Sequence, residues 1–328
     1  MPTMTRYLAL GLLTAALLPF TLAQAESQAA PVPLYAMQQQ PGSYSLRVGD
    51  VRITALTDGT LPVDLHKLLR GATPEDVDAL LARSFQRNPA ETSINAFLIN
   101  LPGHQILVDT GAGQLFGPGT GGRLIESLTT QGVNPEDVTD VLLTHAHSDH
   151  AGGLVKDGQR VFPNAIVHIG KPDIDFFFDD SNQEKTGYKR AYFDIARLTL
   201  QPYMDADKVQ TFSTTQEILP GITATLHPGH TPGSAFYRLS SAGESLTFVG
   251  DLIHSLAVQF PRPGVTITFD QDQSQAASVR QAQFASFARE RTMIGAPHLP
   301  FPGLGYVRNG ATGGYDWVPV TYMNREGN

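Results

Sequence analysis

Residues 144–153 read Thr144-His145-Ala146-His147-Ser148-Asp149-His150-Ala151-Gly152-Gly153, and they follow the short apolar run 138–143. A lone histidine is most often a surface or satisfied core residue, but here three histidines and an aspartate fall within six residues. Buried together without a cation, such groups would crowd one another at a high cost in lost hydration. Imidazole and carboxylate are also the donors that suit borderline divalent metals such as zinc. His145 and His147 are two apart, so they project the same way if the chain leaves its strand extended. Asp149 and His150, in the turn that follows, then face a second ion beside the first. Gly152 and Gly153 let the backbone bend tightly behind them. The stretch reads as a metal-binding loop at the end of a buried strand.

Working outward, residues 44–48 and 51–56 alternate as paired strands joined at Gly49-Asp50. Residues 73–85 open with Thr-x-x-Asp and space their apolar positions as a helix does. A second hairpin, 94–99 with 105–108, turns at Pro102-Gly103, and a helix follows over 123–130. Residues 171–203 read as helical and rich in aromatics. Strands are predicted near 222–226, 235–239 and 245–249, and a helix over 273–291, where Gly and Pro are absent. Strand groups in both halves, with helices between and after them, fit two packed sheets with helices outside, as one domain over 44–328.

Hydrophobic residues at 41% and charged residues at 16% describe a globular chain of 328 residues. A net charge of −8 argues against nucleic acid as a partner, since phosphate binding draws on clustered Lys and Arg. Arg6, the apolar run 7–22 and Ala23-Gln24-Ala25 read as a cleavable export signal over 1–25, followed by a Pro- and Gln-rich arm over 26–43. Periplasmic or secreted localisation is therefore expected, with no membrane association after cleavage. The chain has no cysteine, which excludes disulfides, a catalytic thiol and thiolate ligands.

The His-x-His-x-Asp-His run with its Gly-Gly resembles the signature of the metallo-β-lactamase superfamily. That resemblance implies an α/β (α+β) fold, a four-layer αββα sandwich with two divalent ions at one edge of the sheets. Gly229-His230-Thr231-Pro232-Gly233 is similar to the family's third motif and makes His230 a ligand of the first ion. Gly250-Asp251 resembles the motif whose Asp bridges both ions, and His298, in Ala296-Pro297-His298-Leu299-Pro300, completes the second. Asp109, in Asp109-Thr110-Gly111, resembles the family's structural Asp, with a supporting hydrogen bond and no coordination. The implied ligand set is His145, His147, Asp149, His150, His230, Asp251 and His298, with Asp149 and Asp251 catalytic. Zinc is the first expectation, with manganese, iron or cobalt as alternatives.

Longer strings, among them Ala257-Val258-Gln259-Phe260, His298-Leu299-Pro300-Phe301-Pro302-Gly303 and Leu115-Phe116-Gly117-Pro118, resemble the methyl parathion hydrolase branch. That branch contains exported organophosphate hydrolases and similar lactonases, and it implies a homodimer. Phe116, Phe177, Tyr192, Phe193, His254, Ile267 and Phe269 are then expected to wall the substrate pocket. Bulky Ile267 and Phe269 beside the His254 imidazole suit a planar lactone better than a tetrahedral phosphotriester. The expected reaction is opening of neutral apolar lactones, or cleavage of aryl esters, by a hydroxide held between the ions, with promiscuous phosphotriesterase activity. The alternatives are a primary organophosphate hydrolase, a β-lactamase, a thioester hydrolase of the glyoxalase-II type, and a non-catalytic binding protein on the same fold. His66, His104, His168 and His227 are expected to play no part.

Overall fold

The computed structural model describes residues 42–324; the export-signal reading and nearly all of the proposed arm lie outside the described residues. The first sheet contains β1 (Ser43–Val48), β2 (Val51–Val63), β3 (Ala90–Leu101), β4 (His104–Val108), β5 (Asp140–Leu142), β6 (Ile166–Gly170) and β7 (Val209–Phe212), hydrogen-bonded in that order. The second contains β8 (Gln216–Leu219), β9 (Ile222–Leu226), β10 (Ala235–Ser241), β11 (Glu244–Phe248), β12 (Met293–Gly295), β13 (Leu304–Asn309) and β14 (Tyr315–Pro319), again in chain order. Strands β4 to β7 run parallel, as do β11 and β12, and the remaining neighbours are antiparallel.

Successive side chains of a strand point to opposite faces, and β3 is buried on both. Phe97 and Ile99 enter the space between the sheets with Tyr237, Leu246 and Phe248, while Ala96 and Leu98 face the outer layer. There Leu128, Phe193 and Leu200, from helices Leu124–Thr129 and Arg190–Met204, cover the first sheet. Phe284 and Phe287 of helix Gln273–Glu290 cover the second, against Phe236, Ile294 and Val307. The result is the αββα sandwich.

Three local outcomes differ from the sequence expectation. The helix capped by Thr73, whose hydroxyl accepts from the Asp76 amide at 3.2 Å, ends at Arg83. Phe85 lies beyond it, fully exposed at φ 56°. Strand β2 runs past its predicted end to Val63, through a bulge at Asp58, and strands β7, β8 and β12 to β14 were not anticipated.

Every stretch carrying the motif residues leaves the C-terminal end of a strand. Residues 144–150 follow β5, 227–230 follow β9, Gly250-Asp251 follows β11 and 296–298 follow β12. No helix among the described residues is long and apolar enough to cross a membrane.

Candidate metal centre

His147 keeps the extended backbone that two-apart projection requires (φ −78°, ψ 163°), and Asp149 and His150 lie on the single helical turn Ser148–Ala151. The strand ends then bring in His230, Asp251 and His298. His145, His147, His230 and Asp251 form one group whose donor atoms all lie within 4.8 Å of one another, and Asp149, His150 and His298 form a second. Asp251, His254 and His298 form a further such group.

Asp251 joins them through its two oxygens. Its Oδ2 faces His230 Nε2 at 3.1 Å, His145 Nε2 at 3.6 Å and His254 Nε2 at 3.0 Å. Its Oδ1 faces His150 Nε2 at 3.0 Å and His298 Nε2 at 3.1 Å. Although Asp251 Oδ1 and His150 Nε2 are this close, they are not aligned for a hydrogen bond, and both are buried without a hydrogen-bond partner, as is His145 Nε2. Atoms at such distances that do not address one another, in a donor set of imidazoles and carboxylates, fit cations placed among them.

The electrostatics agree with that fit. Burial, then neighbouring imidazoles, hold His145 and His147 well below the usual histidine range, as neutral rings with lone pairs to offer. Burial opposes a charge on Asp251, but the surrounding imidazoles outweigh it and keep this carboxylate well below its ordinary value. For His230, burial is overcome by Asp251 and Asp270, which push it up to about 9. Protons and metal ions compete for such nitrogens.

Around this cluster His145, His147, His150, His230 and His298 each have their outer nitrogen engaged, whereas His254 Nδ1 is buried without a hydrogen-bond partner. His150 Nδ1 meets Asp109 Oδ2 at 2.8 Å, and the same carboxylate accepts from the Thr144 amide at 2.8 Å. Asp109 thus sits behind the cluster. His298 Nδ1 donates to the Ser93 carbonyl at 2.9 Å, His230 Nδ1 meets Asp270 at 2.8 Å and His147 Nε2 meets the Tyr188 hydroxyl at 2.7 Å.

A cavity of about 360 Å³ opens over the cluster, lined by Asp149, His147, Asp251 and His298 at its floor. Phe116, Tyr192, His254, Ile267 and Phe269 stand on its walls. Phe177 and Phe193 do not. Both are fully buried beneath the floor in the core over the first sheet, where Phe177 packs behind the His147 ring at 6.1 Å. The wall they were assigned is supplied instead by Leu61, Pro62, Val63 and Leu68, from the end of β2 and the turn beyond it.

Asp173, Asp270, Tyr188 and Asp58 were also missed. Asp173 is fully buried and accepts from the amides of Ala146 at 3.0 Å and Gly233 at 2.6 Å, tying two donor loops together. Burial pushes its carboxyl up to about 6. Asp58 accepts from the amides of Ala112, Gly122 and Leu124, each at 2.9 Å, and shapes the loop that carries Phe116. Single acidic or tyrosine residues outside any motif carry no local signal. Of the spare histidines, His66 pairs with Asp78, His104 and His168 share Asp140, and His227 stacks on Phe236. None of these four lines the cavity.

The sequence signature of the metallo-beta-lactamase superfamily matches residues 90–285. The chain belongs to this superfamily. Among solved structures, this chain is similar to the hydrolase AbOPH, also in the β-lactamase superfamily, with a TM-score of 0.82 and 36% identity over 88% of this chain and all of that one. It is similar as well to AidC, a dizinc quorum-quenching lactonase seen with its N-acyl-homoserine product, with a TM-score of 0.78 and 29% identity over the same shares. A mouse metallo-β-lactamase domain-containing protein 1 is 61% identical over 64 residues, 20% of this chain. That match spans only about a fifth (21%) of the mouse protein.

Proposed function

We propose that this protein is a dinuclear metal-dependent hydrolase of neutral, fairly apolar lactones or aryl esters, with phosphotriesters as weaker substrates. The observation that carries the reading is Asp251, which presents one oxygen to each of two donor groups and so fits a carboxylate shared by two ions. His145, His147 and His230 would hold the first ion, and Asp149, His150 and His298 the second. Once bound, such cations supply Lewis acidity and an activated water at neutral pH.

The chain's own residues do the rest. Asp149 is the most exposed of the donors, with 19% of its side chain open, and it borders the cavity. Its carboxylate is the group placed to hold a proton taken from the attacking water. Leu61, Val63, Phe116, Ile267 and Phe269 form an apolar wall that excludes bulk water and favours uncharged substrates. Among the described residues that line the cavity there is no Lys or Arg to clamp an anion. His254, with Ile267 and Phe269 beside it, narrows the cavity over Asp251. A flat lactone ring enters such a slot more readily than a phosphorus with three substituents. The similarity to AidC supports the same choice. The signal-like start supports export.

The test is metal analysis of the purified protein, followed by turnover of lactones, aryl esters, paraoxon-type triesters and nitrocefin. About two equivalents of divalent metal and fastest turnover of a lactone or aryl ester are expected. A triester turned over as fast as any lactone would reverse the substrate order in favour of a primary organophosphate hydrolase. Protein that takes up no metal would end the reading altogether.

A further inference from the structure

Two histidines of the first donor group are held from behind by one short turn. The Tyr188 hydroxyl lies 2.7 Å from the Phe269 carbonyl and 2.7 Å from His147 Nε2. A carbonyl only accepts, so the hydroxyl hydrogen goes to Phe269, and the phenol oxygen is left to accept from an Nε2–H. That fixes His147 in the tautomer whose bare nitrogen is Nδ1, the atom that faces the cluster 3.0 Å from His230 Nε2. One residue further on, Asp270 Oδ1 accepts from His230 Nδ1 at 2.8 Å, which leaves the bare nitrogen of that ring at Nε2. The other Asp270 oxygen is fixed by the Ile267 amide at 3.0 Å. The turn itself is tied down. Asp270 N donates to Ile267 O, Gln271 N to the His230 carbonyl and Thr268 N to Leu68 O, each at 2.9 Å.

We propose that Tyr188 and Asp270 are positioning residues that set the tautomer and aim of His147 and His230 through the turn 267–270, whose Ile267 and Phe269 side chains also wall the cavity. The inference rests on the metal-centre reading above. Outer partners of ligating histidines are worth roughly 10- to 100-fold in metal affinity.

The experiment measures zinc(II) dissociation constants, by competition with a chromophoric chelator, for the wild type, Tyr188→Phe, Asp270→Asn and Tyr203→Phe. Melting temperatures of the metal-free forms are recorded alongside. Tyr203 is the control for loss of a buried hydroxyl, because its oxygen serves Phe162 N and Leu154 O, both at 3.1 Å and far from the cluster in the chain. Tyr188→Phe is expected to weaken zinc binding about 10- to 100-fold, with a metal-free melting temperature no lower than that of Tyr203→Phe. Tyr203→Phe is expected to keep wild-type affinity. If Tyr188→Phe does not fold, Asp270→Asn, which keeps the shape of the side chain, carries the test with the same expectation. Affinity within about threefold of the wild type in the variants, or equal weakening in Tyr203→Phe, overturns the positioning role while leaving the metal centre standing. A wild type that binds no zinc overturns both.

Discussion

Arg280 offers the sharpest test of how the site is supported. Its guanidinium is almost wholly buried, at 1% exposure. Nε donates to the Leu252 carbonyl at 2.6 Å, and Nη1 donates to those of Val265 at 2.7 Å and Pro263 at 3.1 Å. Nη2 stands 3.9 Å from the Asp270 carboxylate. Val265 O has a second donor in Gln259 Nε2 at 3.1 Å, so Arg280→Met strips the buried carbonyl of Leu252 and the half-buried one of Pro263, which water partly serves. Each buried acceptor left unmade costs about 1–3 kcal/mol. Part of that is offset, because burial already pulls the guanidinium pKa down and methionine has no charge to desolvate. Replacing a buried ion pair by apolar groups is often harmless, but here the partners are main-chain carbonyls that no substitution removes. A net loss of about 2–4 kcal/mol is expected, a large part of a typical stability of about 5–15 kcal/mol. Arg280→Lys restores the charge without the planar fork, so it should recover only a part. Urea unfolding of the metal-free protein measures the difference. Arg280→Met within about 1 kcal/mol of the wild type would refute the reasoning.

Three further outcomes are expected. His254→Leu removes an imidazole from the cavity wall and should raise paraoxon-type turnover relative to lactone turnover; an unchanged ratio would count against its place in substrate selection. Burial pushes His227 down to about 4 from an ordinary 6.5, so the unfolded chain binds the extra proton between those values. The contribution of this residue to stability is whole above pH 6.5 and is lost as pH falls towards 4, by at most about 3 kcal/mol. His227→Gln should flatten the unfolding free energy over that window relative to the wild type, and parallel curves would contradict the assignment. Tyr237→Phe removes the hydroxyl that reaches the carbonyls of Leu143 and His168, at 2.8 and 2.9 Å between the sheets. Because the Leu143 amide also serves His168 O, only Leu143 O is orphaned, at about 1–3 kcal/mol by the same unfolding assay.

Much of this architecture is legible in the chain because its donors are crowded. Three histidines and an aspartate in six residues have no comfortable life in a core, alternation marks β1 and the start of β2, and the Pro102-Gly103 turn marks the β3–β4 hairpin. The strand β12 escapes because it is only three residues long and pairs with β11 on the far side of the helix Gln273–Glu290. The pocket aromatics show the limit of composition. Phe177, Tyr192 and Phe193 look alike in sequence, yet only Tyr192 reaches the cavity, since the helix Arg190–Met204 turns Phe193 inward to the first sheet. Asp173 and Asp270 were invisible for a related reason. Each works through backbone amides or a ring nitrogen contributed by segments far along the chain.

The strictly sequential strand order has one more implication. A single break between Phe212 and Gln216 would leave each main sheet intact and divide the seven donors, with His145, His147, Asp149 and His150 on one fragment and His230, Asp251 and His298 on the other. Each of the two assigned donor groups draws on both pieces, so an ion in either place acts as a staple across the seam. Co-expressed as two polypeptides, the halves would report their own reunion by the metal they retain.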